Sequence, residues 1–252
     1  MDWKDIKEQL ITFLKEEISK SGLNRVTVGL SGGLDSAVVA LLCKEAFGEN
    51  ISCVLMPSHY SSDSSISDAV ELCEKYNIDY EIVQIAPMIS AHEKFMNNDK
   101  LRIGNFSARV RMSVLYDISA RDKSLVVGTS NKSELLLGYG TIFGDIACAI
   151  NPIGEIYKSD EYEFAKYLGV TDSILNKKPS ADLWEGQSDE DDLGHSYKEL
   201  DTVLKLLVDE KKSEEEIINL GFEKKIVDNC IYRIKANAFK GELPKIAKIK
   251  WS

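Results

Sequence analysis

Several things are scarce in this chain, and each scarcity removes a class of function. The five cysteines, Cys43, Cys53, Cys73, Cys148 and Cys230, lie far apart, without a close pair or metal-ligand spacing. That excludes a disulfide framework and a cysteine-held zinc site, and they read as small buried apolar side chains in a reducing compartment. No apolar run approaches the roughly 18 residues of a bilayer-spanning helix, and the opening Met1-Asp-Trp-Lys-Asp-Ile is acidic and amphipathic, without an apolar signal core. A soluble, cytoplasmic protein with no membrane partner is expected. Cations are outnumbered, with 31 Lys and Arg against 41 Asp and Glu and a net charge of -10. A general nucleic-acid binder needs a basic face, so this balance argues against one and no nucleic-acid partner is expected. Two familiar nucleotide loops are also missing: no Gly-x-x-x-x-Gly-Lys-Ser/Thr occurs, and no Gly-x-Gly-x-x-Gly follows the first strand. There is no internal repeat or low-complexity tract.

What remains is 252 residues, 44% of them hydrophobic, enough for one domain with a sizeable core. The richest stretch is Val26-Thr-Val-Gly-Leu-Ser-Gly-Gly-Leu-Asp-Ser36, where an apolar strand enters a glycine turn and leaves as an apolar helix. Gly32 and Gly33 let backbone approach a phosphate, Ser31 and Ser36 offer hydroxyls, and the helix start presents free N–H groups and its positive dipole end. Asp35 would repel phosphate unless a hard divalent cation lay between them, which makes it a candidate Mg²⁺ ligand. The plainer reading is an ordinary tight turn, built from the same residue types.

Strand-like runs recur at 26–30, 51–56, 80–85 and 125–127, separated by helical periodicity at 35–47, 64–76, 87–97 and 105–120 after a first helix at about 2–21. Such alternation implies an α/β fold with a doubly wound, mostly parallel sheet, whose ligands gather beyond the carboxyl ends of the strands. Beyond Lys158 helices dominate, at 159–168, 195–209, 213–220 and 223–238, giving a helical C-terminal portion. One domain over 1–252 is expected, with a core at about 22–170, a loop at about 177–194 and a helical part at about 195–252. The loop contains Pro179 and Gly186 and is either a surface loop or a mobile lid. The apolar positions Ile6, Leu10, Phe13 and Leu14, and Val110, Val114 and Leu115, serve a core or a dimer contact equally well.

A second strand–turn–helix arrangement opens at Gly128-Thr-Ser-Asn-Lys-Ser-Glu134. Thr129 falls at a strand end, and Glu134, one turn later, either supplies a second carboxylate to the cation or closes a helix cap with Asn131. Downstream lie the glycine-punctuated Gly138-Tyr-Gly-Thr-Ile-Phe-Gly-Asp145 and Asn151-Pro-Ile-Gly-Glu-Ile-Tyr-Lys158. Arg109 either grips a phosphate or carboxylate with its fork or makes an ion pair on a helix face.

The loop Ser31-Gly-Gly-Leu-Asp-Ser36 resembles the PP-loop of the N-type ATP pyrophosphatases, and the whole set of motifs, with Pro179-Ser180-Ala-Asp-Leu-Trp-Glu-Gly-Gln-Ser-Asp-Glu, resembles the ammonia-dependent NAD synthetases over nearly the whole chain. The resemblance implies an adenine nucleotide alpha hydrolase-like fold and a homodimer with deamido-NAD bound across the subunit interface. It implies ATP held by Gly29, Leu30, Ser31, Gly32, Gly33, Leu34, Asp35 and Ser36, with Thr129, Lys158 and Ser180. It also implies Mg²⁺ held by Asp35 and Glu134, deamido-NAD bound by Arg109 and Lys240, and Asp145 lining the ammonia pocket. The chain departs from the family where many members place a Lys and an Asp for deamido-NAD, having Ile142 and Ala149, and Phe239-Lys240 replaces a His-Lys pair.

The implied chemistry is adenylation of the nicotinate carboxylate of deamido-NAD, release of pyrophosphate, then displacement of AMP by ammonia, with Asp145 and Lys158 as the catalytic groups. A glutaminase domain has no room beside the ATP fold in 252 residues, so free ammonia or a separate donor protein is expected. The rivals are sulfur-transfer enzymes acting on tRNA, disfavoured by the missing cysteine pair and the acidic surface, and a nucleotide-binding sensor resembling the universal stress proteins.

Overall fold

The computed structural model describes residues 1–177, 180 and 186–250. In chain order the elements are α1 (Trp3–Lys20), β1 (Val26–Gly29), α2 (Leu34–Phe47), β2 (Ile51–Leu55), α3 (Asp63–Tyr76), β3 (Asp79–Ile82), α4 (Ala86–Glu93), α5 (Lys100–Asp122) and β4 (Leu125–Val127). They continue as α6 (Lys132–Leu137), α7 (Lys158–Leu168), α8 (Asp172–Leu175), α9 (Asp189–Leu193), α10 (Tyr197–Leu204), α11 (Glu214–Asn219) and α12 (Lys224–Asn237).

The described strands form one parallel sheet in the order β3-β2-β1-β4. β2 is buried along its whole length, as befits a strand covered on both faces, whereas β3 at the edge is largely exposed. One face packs against α1, α2, α3 and α7 through Leu14, Ile18, Leu42, Leu72 and Phe164. The other meets α4 and α5 through Val54, Ile85, Ile89, Ile103 and Ile118. α2 is buried almost all round because it lies between the sheet and neighbouring helices, so it lacks a polar stripe. A third cluster, with Leu137, Leu200, Leu204, Ile217 and Val227, joins α6 to the helical C-terminal portion.

The chain runs outward from β1 to β2 and β3, then returns to the other side of β1 as β4. Strand order therefore reverses between β1 and β4, and the crevice beyond their carboxyl ends is where such sheets bind ligands.

Several boundaries differ from the sequence expectation. α5 begins at Lys100 rather than 105, because the Asp99 side chain accepts from Arg102 N (3.1 Å) and caps it earlier. The helix expected at 195–209 ends at Leu204 and continues as a π turn over Lys205–Asp209. The loop expected from 177 carries α9, and its residues 178, 179 and 181–185 lie outside the described residues. Among the ambiguous apolar positions, Leu14 is in the core, Ile6, Leu10, Val110, Val114 and Leu115 pack against it, and Phe13 is exposed.

Candidate active site

The Ser31–Ser36 loop is held by its own side chains. Ser36 Oγ donates to Gly33 O (3.0 Å) and accepts from Ser31 N (3.2 Å), while Ser31 Oγ accepts from Gly33 N (3.2 Å). Gly32 is required twice: its φ is +78°, and a Cβ there would stand 2.0 Å from the Ser65 carbonyl oxygen at the start of α3. The first bond back into α2 runs from Ala37 N to Gly33 O (3.2 Å). The N–H groups of Leu34, Asp35 and Ser36 thus belong to the open first turn, a ready anion site.

Asp35 and Lys158 meet across the switch point. The Asp35 carboxylate pairs with the Lys158 ammonium through one oxygen and accepts from Asn131 Nδ2 (2.7 Å) through the other. Asn131 also joins Glu134: its backbone N donates to Glu134 Oε2 (3.2 Å), and Glu134 N donates to Asn131 Oδ1 (3.0 Å). The capping box weighed from the sequence is therefore formed, and its carboxylate still lines the same cavity as Asp35.

Burial tends to raise the Asp35 carboxyl, but Lys158 and the surrounding hydrogen bonds hold it below the ordinary range. Glu134 is pushed well above its ordinary value by burial first and by the Asp35 charge second. Burial opposes the charge on Lys158, yet Asp35, Glu161 and Glu134 raise its affinity for a proton overall. Asp35 and Glu134 thus crowd one ammonium, which is why Glu134 resists ionising, and a divalent cation between them would relieve that crowding.

The donor chemistry fits Mg²⁺. Asp35 and Glu134 offer hard oxygen ligands, and among the described residues no group of three or more acids, histidines or cysteines is placed to cage a metal. One or two carboxylates completed by phosphate oxygens and water is the usual Mg²⁺ arrangement.

Positioning of Lys158 comes from a residue the sequence did not single out. Lys158 opens α7, and its backbone N donates to Ser133 Oγ (2.9 Å). Ser133 Oγ donates in turn to Asp201 Oδ1 (2.5 Å), and Asp201 Oδ2 accepts from Ser159 N (2.7 Å). Asp201, buried on α10, therefore fastens the starts of α6 and α7 together. The signal was a lone Asp within a helical stretch 43 residues downstream of Lys158, which no local pattern ties to α7.

The cavity above this floor has a volume of about 570 Å³, within the usual range for small-molecule sites. Its lining includes residues 29–36, Thr129, Glu134, Asp145, Lys158, Ser180 and Lys240. Asp145 Oδ1 accepts from Thr141 N (2.6 Å), and Thr141 Oγ1 donates to Asn105 Oδ1 (2.7 Å). Solvent reaches Asp145, but the concave wall around it pushes its carboxyl up by desolvation.

The two residues expected to bind deamido-NAD lie in different places. Lys240 lines the cavity while its Nζ donates to Gly138 O (2.7 Å) and Gly140 O (3.0 Å), so its ammonium fastens the glycine loop. Arg109 lies outside this lining, on a shallow face shared with Met88, Phe106, Val110 and Val114, and donates to Ile142 O (3.3 Å). The arginines that line the cavity are Arg111, whose Nε donates to Met56 O (3.2 Å), and Arg233, whose Nη2 donates to Asp192 O (3.1 Å). Ser180 is exposed at the rim.

Comparison with known proteins agrees along nearly the full length. A sequence model of the NAD synthase family matches residues 6–244. An NH(3)-dependent NAD(+) synthetase of Wolinella succinogenes is 49% identical over 243 residues, covering 96% of this chain and 95% of that protein. The structure of the NH3-dependent NAD synthetase of Campylobacter jejuni, in complex with the nitrate ion, superposes with a TM-score of 0.85 at 42% identity, covering 98% of this chain and all of the other. That of an NMN synthetase from Francisella tularensis superposes with a TM-score of 0.88 at 31% identity, over 99% of this chain.

Proposed function

The chain belongs to the NAD synthase family, and from that premise we propose that its cavity carries out the ATP-dependent amidation of deamido-NAD with ammonia to give NAD, AMP and pyrophosphate. The supporting observation is the convergence of three elements on one cavity: the α2 N-terminus behind the Ser31–Ser36 loop, the Asp35–Lys158 pair, and Asp145 on the opposite glycine loop.

The nicotinate carboxylate attacks the α-phosphorus of ATP, and the bond to the bridging oxygen breaks, releasing pyrophosphate. Two anions must meet in that step, so the work is positioning and charge neutralisation. The open N–H groups of α2 and the serine hydroxyls bind phosphate oxygens, and Lys158 supplies positive charge at the floor. Asp35 and Glu134 would hold Mg²⁺, which when bound neutralises phosphate charge and orients the triphosphate. In the second half, ammonia attacks the adenylated carbonyl carbon and AMP leaves. Asp145 binds ammonium and accepts a proton, which desolvation favours by raising its carboxyl toward neutral pH.

The exposed face carrying Arg109 supports a homodimer. Met88, Phe106, Val110 and Val114 lie together on α4 and α5, and Met88 is 46% exposed. Deamido-NAD crossing that interface would meet the Arg109 of one subunit and the cavity of the other. No described helix is long and apolar enough to cross a membrane, in keeping with a cytoplasmic enzyme.

The test is to follow AMP, pyrophosphate and NAD from purified protein given ATP, Mg²⁺ and deamido-NAD, with and without ammonium. Nicotinate mononucleotide serves as the competing acceptor, because one structural relative is an NMN synthetase. NAD formed with matching AMP supports the reading. Amidation of the mononucleotide alone would reassign the acceptor, and ATP binding without AMP would leave only a nucleotide sensor.

A further inference from the structure

One buried group has no part in this chemistry. Glu161, one turn into α7, has a fully buried side chain, and neither carboxyl oxygen has a hydrogen bond among the described residues. A carboxyl group kept from water without hydrogen bonds is costly, and a hydrophobic residue of similar size would avoid that cost. It faces Lys158, whose Nζ lies 3.7 Å from Glu161 Oε2, and also the Asp35 carboxylate: burial first and the Asp35 charge second push the Glu161 carboxyl well above its ordinary value, while Lys158 pulls it down. The spacing of three residues on one helix puts the two side chains on the same face.

Lys158 is therefore flanked by acids from two elements: Asp35 from α2, in direct contact, and Glu161 from its own helix, slightly further away. Asp35 is also the residue assigned above to Mg²⁺, and an oxygen given to a cation is withdrawn from the ammonium. Lys158 would then lose its near partner at the moment its charge is needed. Its own backbone does not move, being fixed by Ser133 and Asp201. The ammonium needs only a second acceptor close by.

We propose that Glu161 is a positioning residue that takes over the Lys158 ammonium when Asp35 turns to Mg²⁺·ATP, keeping the cation on the floor of the cavity. This rests on the nucleotide reading of the site. Glu161 touches no reacting atom. Its effect on the bound nucleotide is carried by Lys158.

The test is calorimetric titration of the full chain with ATP, in Mg²⁺ and in EDTA, for wild type, E161L and E161Q. E161L fills the space without an oxygen, and E161Q keeps one; E161M replaces E161L if the leucine variant does not fold. In EDTA Asp35 stays with Lys158, and all variants are expected to bind ATP within about twofold of wild type. In Mg²⁺ the leucine variant is expected to bind about tenfold more weakly, and E161Q to lose less. A merely structural role would lower the melting temperature without a Mg²⁺-specific loss. The inference is overturned if E161L binds Mg²⁺·ATP like wild type, if it loses as much in EDTA, or if E161Q loses as much as E161L. Wild type binding ATP in neither condition overturns the nucleotide reading itself, and the proposal with it.

Discussion

Replacing Gly32 by alanine tests the tightest geometric demand in the site. The residue has φ +78°, and the added methyl would stand 2.0 Å from Ser65 O, a backbone atom about 1 Å inside any real contact. The left-handed conformation costs an alanine roughly 1–2 kcal/mol. The clash cannot be relieved by a rotamer change, so either the Ser31–Ser36 loop or the start of α3 must move by about that ångström. A displacement of this size in a positioning element costs on the order of 10²-fold in rate. Gly22 supplies the control: its φ is +75°, with nothing within 4 Å of the position a Cβ would take. G22A should therefore lower Tm by about 2–8 °C and leave turnover unchanged. G32A should lower Tm further and reduce kcat/KM for ATP about a hundredfold, measured by pyrophosphate release. G32A turning over within a few-fold of wild type, at the melting temperature of G22A, would refute the account of the loop as a rigid phosphate cradle.

Four further outcomes are expected. D201A removes the acceptor shared by Ser133 Oγ and Ser159 N; leaving buried donors unpaired should cost about 2–4 kcal/mol and slow adenylation, with the Tm shift read by calorimetry. D145N should slow NAD formation while sparing deamido-NAD-dependent ATP–pyrophosphate exchange, and equal loss in both would refute the assignment. Because burial raises the Asp145 carboxyl, the amidation rate should fall as pH drops through a value above the usual carboxylate range. That acid limb, corrected for free ammonia, should vanish in D145N. M88E, at an exposed position on the face carrying Arg109, should halve the mass in light scattering and weaken deamido-NAD binding; an unchanged dimer would move the interface elsewhere.

Much of the fold was legible because its signals are local. The strand at Val26, its glycine turn and the apolar α2 form one continuous stretch, so 29–36 could be recognised without any tertiary information. The parallel sheet followed from the alternation of short apolar runs with helical spacing. The ends of elements were less legible, since the Asp99 cap starts α5 at Lys100, five residues before the expected start at 105.

Residue types, the local geometry of the Ser31–Ser36 loop, the parallel α/β architecture and the family likeness that the comparisons bear out could all be read along the chain. Only the tertiary structure decided what meets what. It put Lys158 against Asp35 across 123 positions, and buried Glu161 behind them. It directed Lys240 onto two carbonyls and put Arg109 outside the main cavity. The physical reason is that caps, turns and periodicities are fixed by neighbours along the chain. Pairing and burial of charge depend on which helices the sheet brings together, and no spacing in the sequence encodes that.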